Sequence, residues 1–223
     1  MTDFVVAIDG PAGSGKSSVS RAAARVLGFL YLDTGAVYRA FAWLCLERGV
    51  DLANESSIAA ELSEFGWAIT TQPDDFSISV DSIDVTDAIR EPRVSGAVSA
   101  IARVAAVRSQ LTEVFQWTIS ADVGPGIIVE GRDITTVVAP SAQVRILLTA
   151  SEQVRMGRRS AELSGEAAET TARHLATRDA QDSKVVDFMN AADGVLTVDS
   201  TDLDFDQTVN AVVTLVREAQ PTD

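Results

Sequence analysis

Lysine is almost missing from this chain of 223 residues: only Lys16 and Lys184 occur, against sixteen arginines. Histidine and cysteine occur once each, as His174 and Cys45. A lone cysteine excludes an internal disulfide, and its neighbours Leu44 and Leu46 give it the setting of a core thiol in a reducing compartment. His174 reads as a helix-surface residue rather than a base. No apolar run approaches the ~20 residues that span a bilayer, and Met1-Thr2-Asp3 lacks the basic start of a secretory signal, so a cytoplasmic protein is expected. Positive charge is also short, with a net charge of −14 from 32 acidic and 18 basic residues. That balance leaves no extended basic face for nucleic acid or a membrane surface. Repeats, low-complexity tracts and flexible linkers are absent, and the length favours one core with an insertion over two separate domains.

What the chain does have is concentrated. The segment Gly10-Pro11-Ala12-Gly13-Ser14-Gly15-Lys16-Ser17 fits G-x-x-x-x-G-K-[ST]. Before it, Phe4 to Ile8 is an apolar run of the kind a buried parallel strand shows. After it, Val19, Ala22, Ala23, Val26 and Leu27 fall at helical spacing up to Gly28, a helix stop. A glycine-rich turn between strand and helix cradles phosphates with backbone N–H groups and the positive end of the helix dipole. Lys16 is expected to bridge β- and γ-phosphates and the Ser17 hydroxyl to ligate Mg²⁺, with Ser18 completing the ATP-binding set.

The rest of the chain alternates strands with helices. Phe29–Leu32 reads as a second strand, followed by a helix from Asp33 or Thr34 to about Arg48, and residues 54–65 form another amphipathic segment. From Trp67 to Val85 the pattern changes to short alternating strands, with turns at Gln72–Asp75 and Asp81–Ser82. Pro92 opens a helical stretch in which Val107, Leu111, Val114, Phe115, Thr118 and Ile119 share a face. Strands follow at Ile127–Glu130, Val144–Leu148 and Val195–Val198, with helices at about 152–163, 168–180 and 204–219. Trp43, Trp67 and Trp117 sit at positions suited to packing. The expected fold is α/β: a five-stranded parallel sheet flanked by helices in three layers, with a small inserted antiparallel β subdomain. Ligands of such a sheet bind at the carboxyl ends of its strands.

A phosphate loop alone does not choose between a switch, a motor and a small-molecule kinase. The Asn-Lys-x-Asp signature of a guanine-specific switch does not occur, and nothing distinctive marks a motor. The sequences Asp33-Thr34-Gly35-Ala36-Val37-Tyr38-Arg39, Val98-Ser99-Ala100-Ile101-Ala102 with Val107-Arg108, Gly131-Arg132-Asp133-Ile134-Thr135-Thr136-Val137-Val138, and Arg178-Asp179 with Asp182-Ser183 are more specific. In these, from Phe4 to about Thr201, the chain resembles the bacterial cytidylate kinases.

That resemblance implies transfer of the γ-phosphoryl of ATP to CMP or dCMP with Mg²⁺ in a cytoplasmic monomer. It implies one kinase domain over 1–223: a core at about 1–34, 91–150 and 192–223, a monophosphate-binding region with the β insert at about 35–90, and an arginine-rich helical lid at about 151–191. By similarity, Thr34, Arg39 and Arg132 hold the acceptor phosphate, and Ser99, Arg108 and Asp133 read cytosine, a carboxylate and a hydroxyl accepting from its amine. Arg178 and Asp182 resemble a ribose-binding pair. Glu130 is placed to bind a Mg²⁺-bound water, and Arg155, Arg158 and Arg159 to close on ATP. Lys16, Arg132, Arg155 and Arg159 are then the catalytic cations. The plainer alternatives are a surface ion pair for Arg132 and Asp133, a structural anion for Glu130, and a solvated helix face for the three arginines. Two positions depart from the family pattern: Val185 stands where an arginine is usual, and Thr135 where glycine is common. A β-branched Thr135 restricts its backbone to φ < 0 and is expected to shift Arg132 slightly.

Overall fold

A computed structural model describes residues 4–121, 124–162 and 187–221, without the side chains from 159 to 162. Strand β1 (Val5–Asp9) leads through the glycine-rich loop into helix α1 (Lys16–Leu27), which ends at Gly28 with φ 69°. Strand β2 (Leu30–Asp33) runs directly into α2 (Thr34–Glu47), where the Asp33 carboxylate caps the helix by accepting from the Ala36 N–H. Asn54 caps α3 (Glu55–Ala60), which tightens into a 3₁₀ turn at Glu61–Glu64. The inserted strands are β3 (Trp67–Ile69), β4 (Ile78–Val80) and β5 (Ile83–Asp84). Asp81 and Ser82, both at positive φ, join β4 to β5, the left-handed pair that a two-residue hairpin turn requires. Helices α4 (Pro92–Ala102) and α5 (Ala105–Ala121) precede β6 (Ile127–Gly131), and β7 (Val144–Thr149) follows. Helix α6 (Glu152–Glu162), β8 (Leu196–Asp199) and α7 (Phe205–Ala219) complete the described elements.

The main sheet has the order β2-β6-β1-β7-β8, every neighbouring pair parallel. Alternation along β1 divides the core. Val6 and Ile8 face α1 and α7, where they meet Val19, Val212 and Val216, while Ala7 faces the opposite cluster of Phe41, Ile101, Leu111 and Phe115. Helices thus cover both faces, as a parallel sheet demands. Ile78, Val80 and Val85 belong to the same cluster as Phe41, so the antiparallel insert packs on α2. Its Gln72–Asp75 turn is fastened to α1, with Arg21 and Arg25 donating to the Pro73 carbonyl at 2.5 and 3.0 Å. The Tyr31 N–H donates to the Thr71 carbonyl at 2.8 Å, which closes the exposed edge of β2.

Most expected elements lie within two residues of their observed limits. The insert's strands are shorter than the alternation implies, because Thr70 turns its hydroxyl onto Asp75 and Ser77, and Thr71 is spent on β2. Cys45 is fully buried in the core. Trp117 does not pack: it is 69% exposed, because a step of two residues from Phe115 turns about 200° around α5, away from the buried stripe. Val114, Thr118 and Ile119 are only half-buried at the edge of that stripe. Among the described residues no helix is long and apolar enough to cross a membrane. The helix expected at 168–180 and most of the expected lid lie outside the described residues.

Candidate active site

The glycine-rich loop leaves β1 where the chain cannot carry side chains. A Cβ on Gly10 would sit 2.1 Å from the Leu148 carbonyl oxygen, and one on Gly13 2.7 Å from that of Arg155. Gly15, at φ 85°, is the N-cap of α1 and supplies no side-chain acceptor. The first-turn N–H groups of α1 therefore form the kind of terminus a bound anion completes.

On its other face the loop is held by arginines. Gly10, Ala12 and Ser14, alternate residues of the loop, offer their carbonyl oxygens to Arg132 Nη1 at 2.5 Å, Arg155 Nη1 at 2.9 Å and Arg158 Nη1 at 3.1 Å. Arg155 is buried and Arg158 half-buried, so α6 does not present these two as a solvated face. Arg158 also donates to Ser200 and to the Leu203 carbonyl.

Behind Lys16 and Ser17 lies Glu130, near the end of β6 and only 2% exposed. Ser17 Oγ donates to Glu130 Oε1 at 2.5 Å, the Tyr31 hydroxyl donates to the same oxygen at 3.3 Å, and Lys16 Nζ stands 3.5 Å from Oε2. Burial, followed by the charge of Asp33, pushes the Glu130 carboxyl above its ordinary range; Lys16 and the Ser17 hydroxyl pull it back. A hydroxyl and a carboxylate are the hard oxygen donors Mg²⁺ takes alongside waters and phosphate oxygens, so Ser17 and Glu130 fit that ion.

Thr34, at the start of α2, donates its hydroxyl to the Glu130 carbonyl at 2.9 Å, and Arg39 Nη2 pairs with Asp33 at 2.9 Å. Gly131 is required beside Thr34, since a Cβ there would fall 2.5 Å from the threonine hydroxyl oxygen. From α5, Arg108 Nη2 reaches Asp133 Oδ2 at 2.9 Å. Burial raises the Asp133 carboxyl, and Arg108 offsets part of that rise. Tyr38 neighbours the pair: burial first, then the Asp133 charge, raises its hydroxyl above the usual range. Ser99 is half-buried on α4. The Arg132 guanidinium lies 4.4 Å from the centre of the buried Phe188 ring.

Sequence reasoning passed over Asp9. Its carboxylate accepts from the backbone N–H groups of Ile134 and Thr135 at 2.8 and 2.9 Å, and from the Thr135 hydroxyl at 2.6 Å. Burial raises its pKa, and these three bonds lower it. The signal was a carboxylate ending an apolar strand, since a buried charge must find partners. Thr135 keeps φ below zero and spends its hydroxyl on Asp9. Asp9 and Arg132 therefore lace the loop after β1 to the loop after β6 in both directions. The structure brings Lys16, Ser17 and Glu130 together, and Arg108 with Asp133. The side chain of Arg159, together with Arg178, Asp182 and Val185, lies outside the described residues.

A family model described as cytidylate kinase matches residues 6–218. The chain belongs to the cytidylate kinase family. A cytidylate kinase of Streptomyces avermitilis is 44% identical over 215 residues, covering 96% of this chain and 93% of the relative. One of Cutibacterium acnes is 45% identical over 216 residues, covering 96% of each. The crystal structure of an uncharacterized protein from Eubacterium ventriosum superposes with a TM-score of 0.52 at 10% identity, covering 97% of this chain and 99% of that one, a likeness of fold alone. As a cytidylate kinase family member the chain is an enzyme, a phosphotransferase.

Proposed function

We propose that the protein transfers the γ-phosphoryl group of ATP to CMP or dCMP, giving ADP and CDP or dCDP. Two polyanions have to be held in line, so the protein's work is positioning and charge neutralisation. An oxygen of the acceptor phosphate forms the new bond to the γ-phosphorus as the bond to the β–γ bridging oxygen breaks and the electron pair leaves with ADP. The acceptor phosphate is itself nucleophilic, so the scarcity of histidine is no obstacle.

The loop N–H groups and Lys16 hold the donor phosphates, with Lys16 following the charge onto the bridging oxygen. Ser17 and Glu130 would hold Mg²⁺, which when bound neutralises the β- and γ-oxygens. Arg132, with one arm on the Gly10 carbonyl, stands between donor and acceptor loops and neutralises the transferring group together with Arg155 and Arg159. Thr34, Arg39 and Arg132 receive the acceptor phosphate, and Arg178 and Asp182 the ribose. The region around the β insert belongs to the acceptor side, and the segment from about 151 to 191 to the donor side.

The observation that carries the base assignment is the Arg108–Asp133 pair at 2.9 Å, with the half-buried Tyr38 beside it. A carboxylate held by an arginine accepts from the exocyclic amine of cytosine and meets only a carbonyl acceptor in uracil. ADP formation from ATP and Mg²⁺, followed by a coupled assay with and without CMP, tests the reading. CMP-stimulated turnover that chelation of the metal abolishes is expected. Turnover that CMP does not stimulate, or that a purine monophosphate stimulates more, overturns it.

A further inference from the structure

Both terminal nitrogens of the Arg158 guanidinium are already committed. Its Nη1 donates to the Ser14 carbonyl at 3.1 Å and to Ser200 Oγ at 2.9 Å, and its Nη2 to the carbonyls of Ser200 at 2.9 Å and Leu203 at 3.3 Å. Each terminal nitrogen carries two protons, so these four bonds use all four. A side chain that reaches phosphate oxygens by its fork would have to give these acceptors up.

Its partner is equally committed. Ser200 is 0% exposed, and its hydroxyl donates to the Thr149 carbonyl at 2.9 Å while accepting from Arg158. Only a group that both donates and accepts satisfies that position. The Ser200 N–H bonds the same Thr149 carbonyl at 2.8 Å, and Thr201 Oγ1 accepts the Ser151 N–H at 2.9 Å. The β8–α7 loop is thereby bound to the end of β7 and the start of α6, and Arg158 ties it to the phosphate loop after β1. Three adjacent strand ends, those of β1, β7 and β8, are tied together through Arg158 and Ser200.

We propose that Arg158 is a positioning residue of the donor site: acting through Ser14 and Ser200, it holds the phosphate loop and the β8–α7 loop in one register, and it does not ligate phosphate. The inference rests on the reading of this loop as the nucleotide-donor site. It is distinct from the expectation that Arg158 closes on ATP, because a phosphate ligand acts on the nucleotide whatever Ser200 is, whereas a clamp acts only when both of its ends are present.

A double-mutant cycle on nucleotide binding separates the two. Affinities of Mg-ATP, Mg-ADP and CMP are measured by calorimetry for the unsubstituted protein, Arg158→Ala, Ser200→Ala and the double variant. Loss of a charged hydrogen-bonded contact corresponds to about tenfold or more in affinity. Arg158→Ala and Ser200→Ala are each expected to weaken ATP and ADP by similar factors and to leave CMP within about twofold, the double variant binding no more weakly than Arg158→Ala alone. Additive losses, a silent Ser200→Ala, or a loss confined to ATP would overturn the proposal. If Arg158→Ala does not fold, Arg158→Gln takes its place in the cycle. The binding readout needs no acceptor turnover, so an intact cycle in a protein that CMP does not stimulate refutes the functional reading alone, and a failed cycle in a CMP-stimulated enzyme refutes this one.

Discussion

Lys16 and Glu130 show how single residues are poised before any substrate arrives. Separately each would be a costly charge at a largely buried site; 3.5 Å apart, each offsets part of the other's desolvation. In the proposed reaction incoming phosphates compete for the ammonium, and the charge developing on the bridging oxygen during transfer gains most from it. Lys16→Ala should therefore lower kcat by about 10²–10³ in single-turnover experiments while the circular dichroism spectrum stays unchanged. A turnover close to that of the unsubstituted enzyme would remove Lys16 from the mechanism. Its place at the start of α1 was legible because G-K-S stands between strand and helix, as was that of Ser17. The setting of Asp9 was not, since its partners Ile134 and Thr135 arrive from more than a hundred residues away in the chain.

Elements formed as local rules require wherever a cap and a period coincide. Gly28 stops α1, Asp33 starts α2, and Asp204 with Gln207 forms a reciprocal capping box at α7. Because α7 places Val209, Val212, Val213 and Val216 under the sheet, its cap supports a whole core cluster. Asp204→Ala should cost about 1 kcal/mol, a fall of roughly 2–4 °C in Tm by differential scanning calorimetry. An unchanged Tm would show that packing alone fixes the start of the helix. Local rules fail at Ile134–Val138, a run of five β-branched residues suited to a strand. It forms a π-helical turn instead, with Val138 and Ala139 donating to carbonyls five residues back, at Asp133 and Ile134. The Asp9 carboxylate supplies acceptors at its start, so a tertiary bond overrides propensity.

At the scale of the molecule, a chain of net charge −14 places Lys16, Arg132, Arg155 and Arg158 around the loop after β1. The loops after β1 and β6 are joined from both sides, Asp9 gripping the turn after β6 and Arg132 gripping Gly10, so on the proposed reading donor and acceptor sites are built as one frame. The parallel sheet, its helices and the insert were legible from hydrophobic period. The arginine cover over the loop carbonyls was not, because sequence shows that arginines cluster but not which oxygens they meet. The central claim is that this frame reads cytosine through Asp133 and Arg108. Its most direct test is the ratio of kcat/KM for CMP over UMP in the unsubstituted enzyme and in Asp133→Ala. A preference for CMP of at least about a hundredfold is expected, falling to within about tenfold in the variant. A ratio that is the same in both proteins would contradict the account.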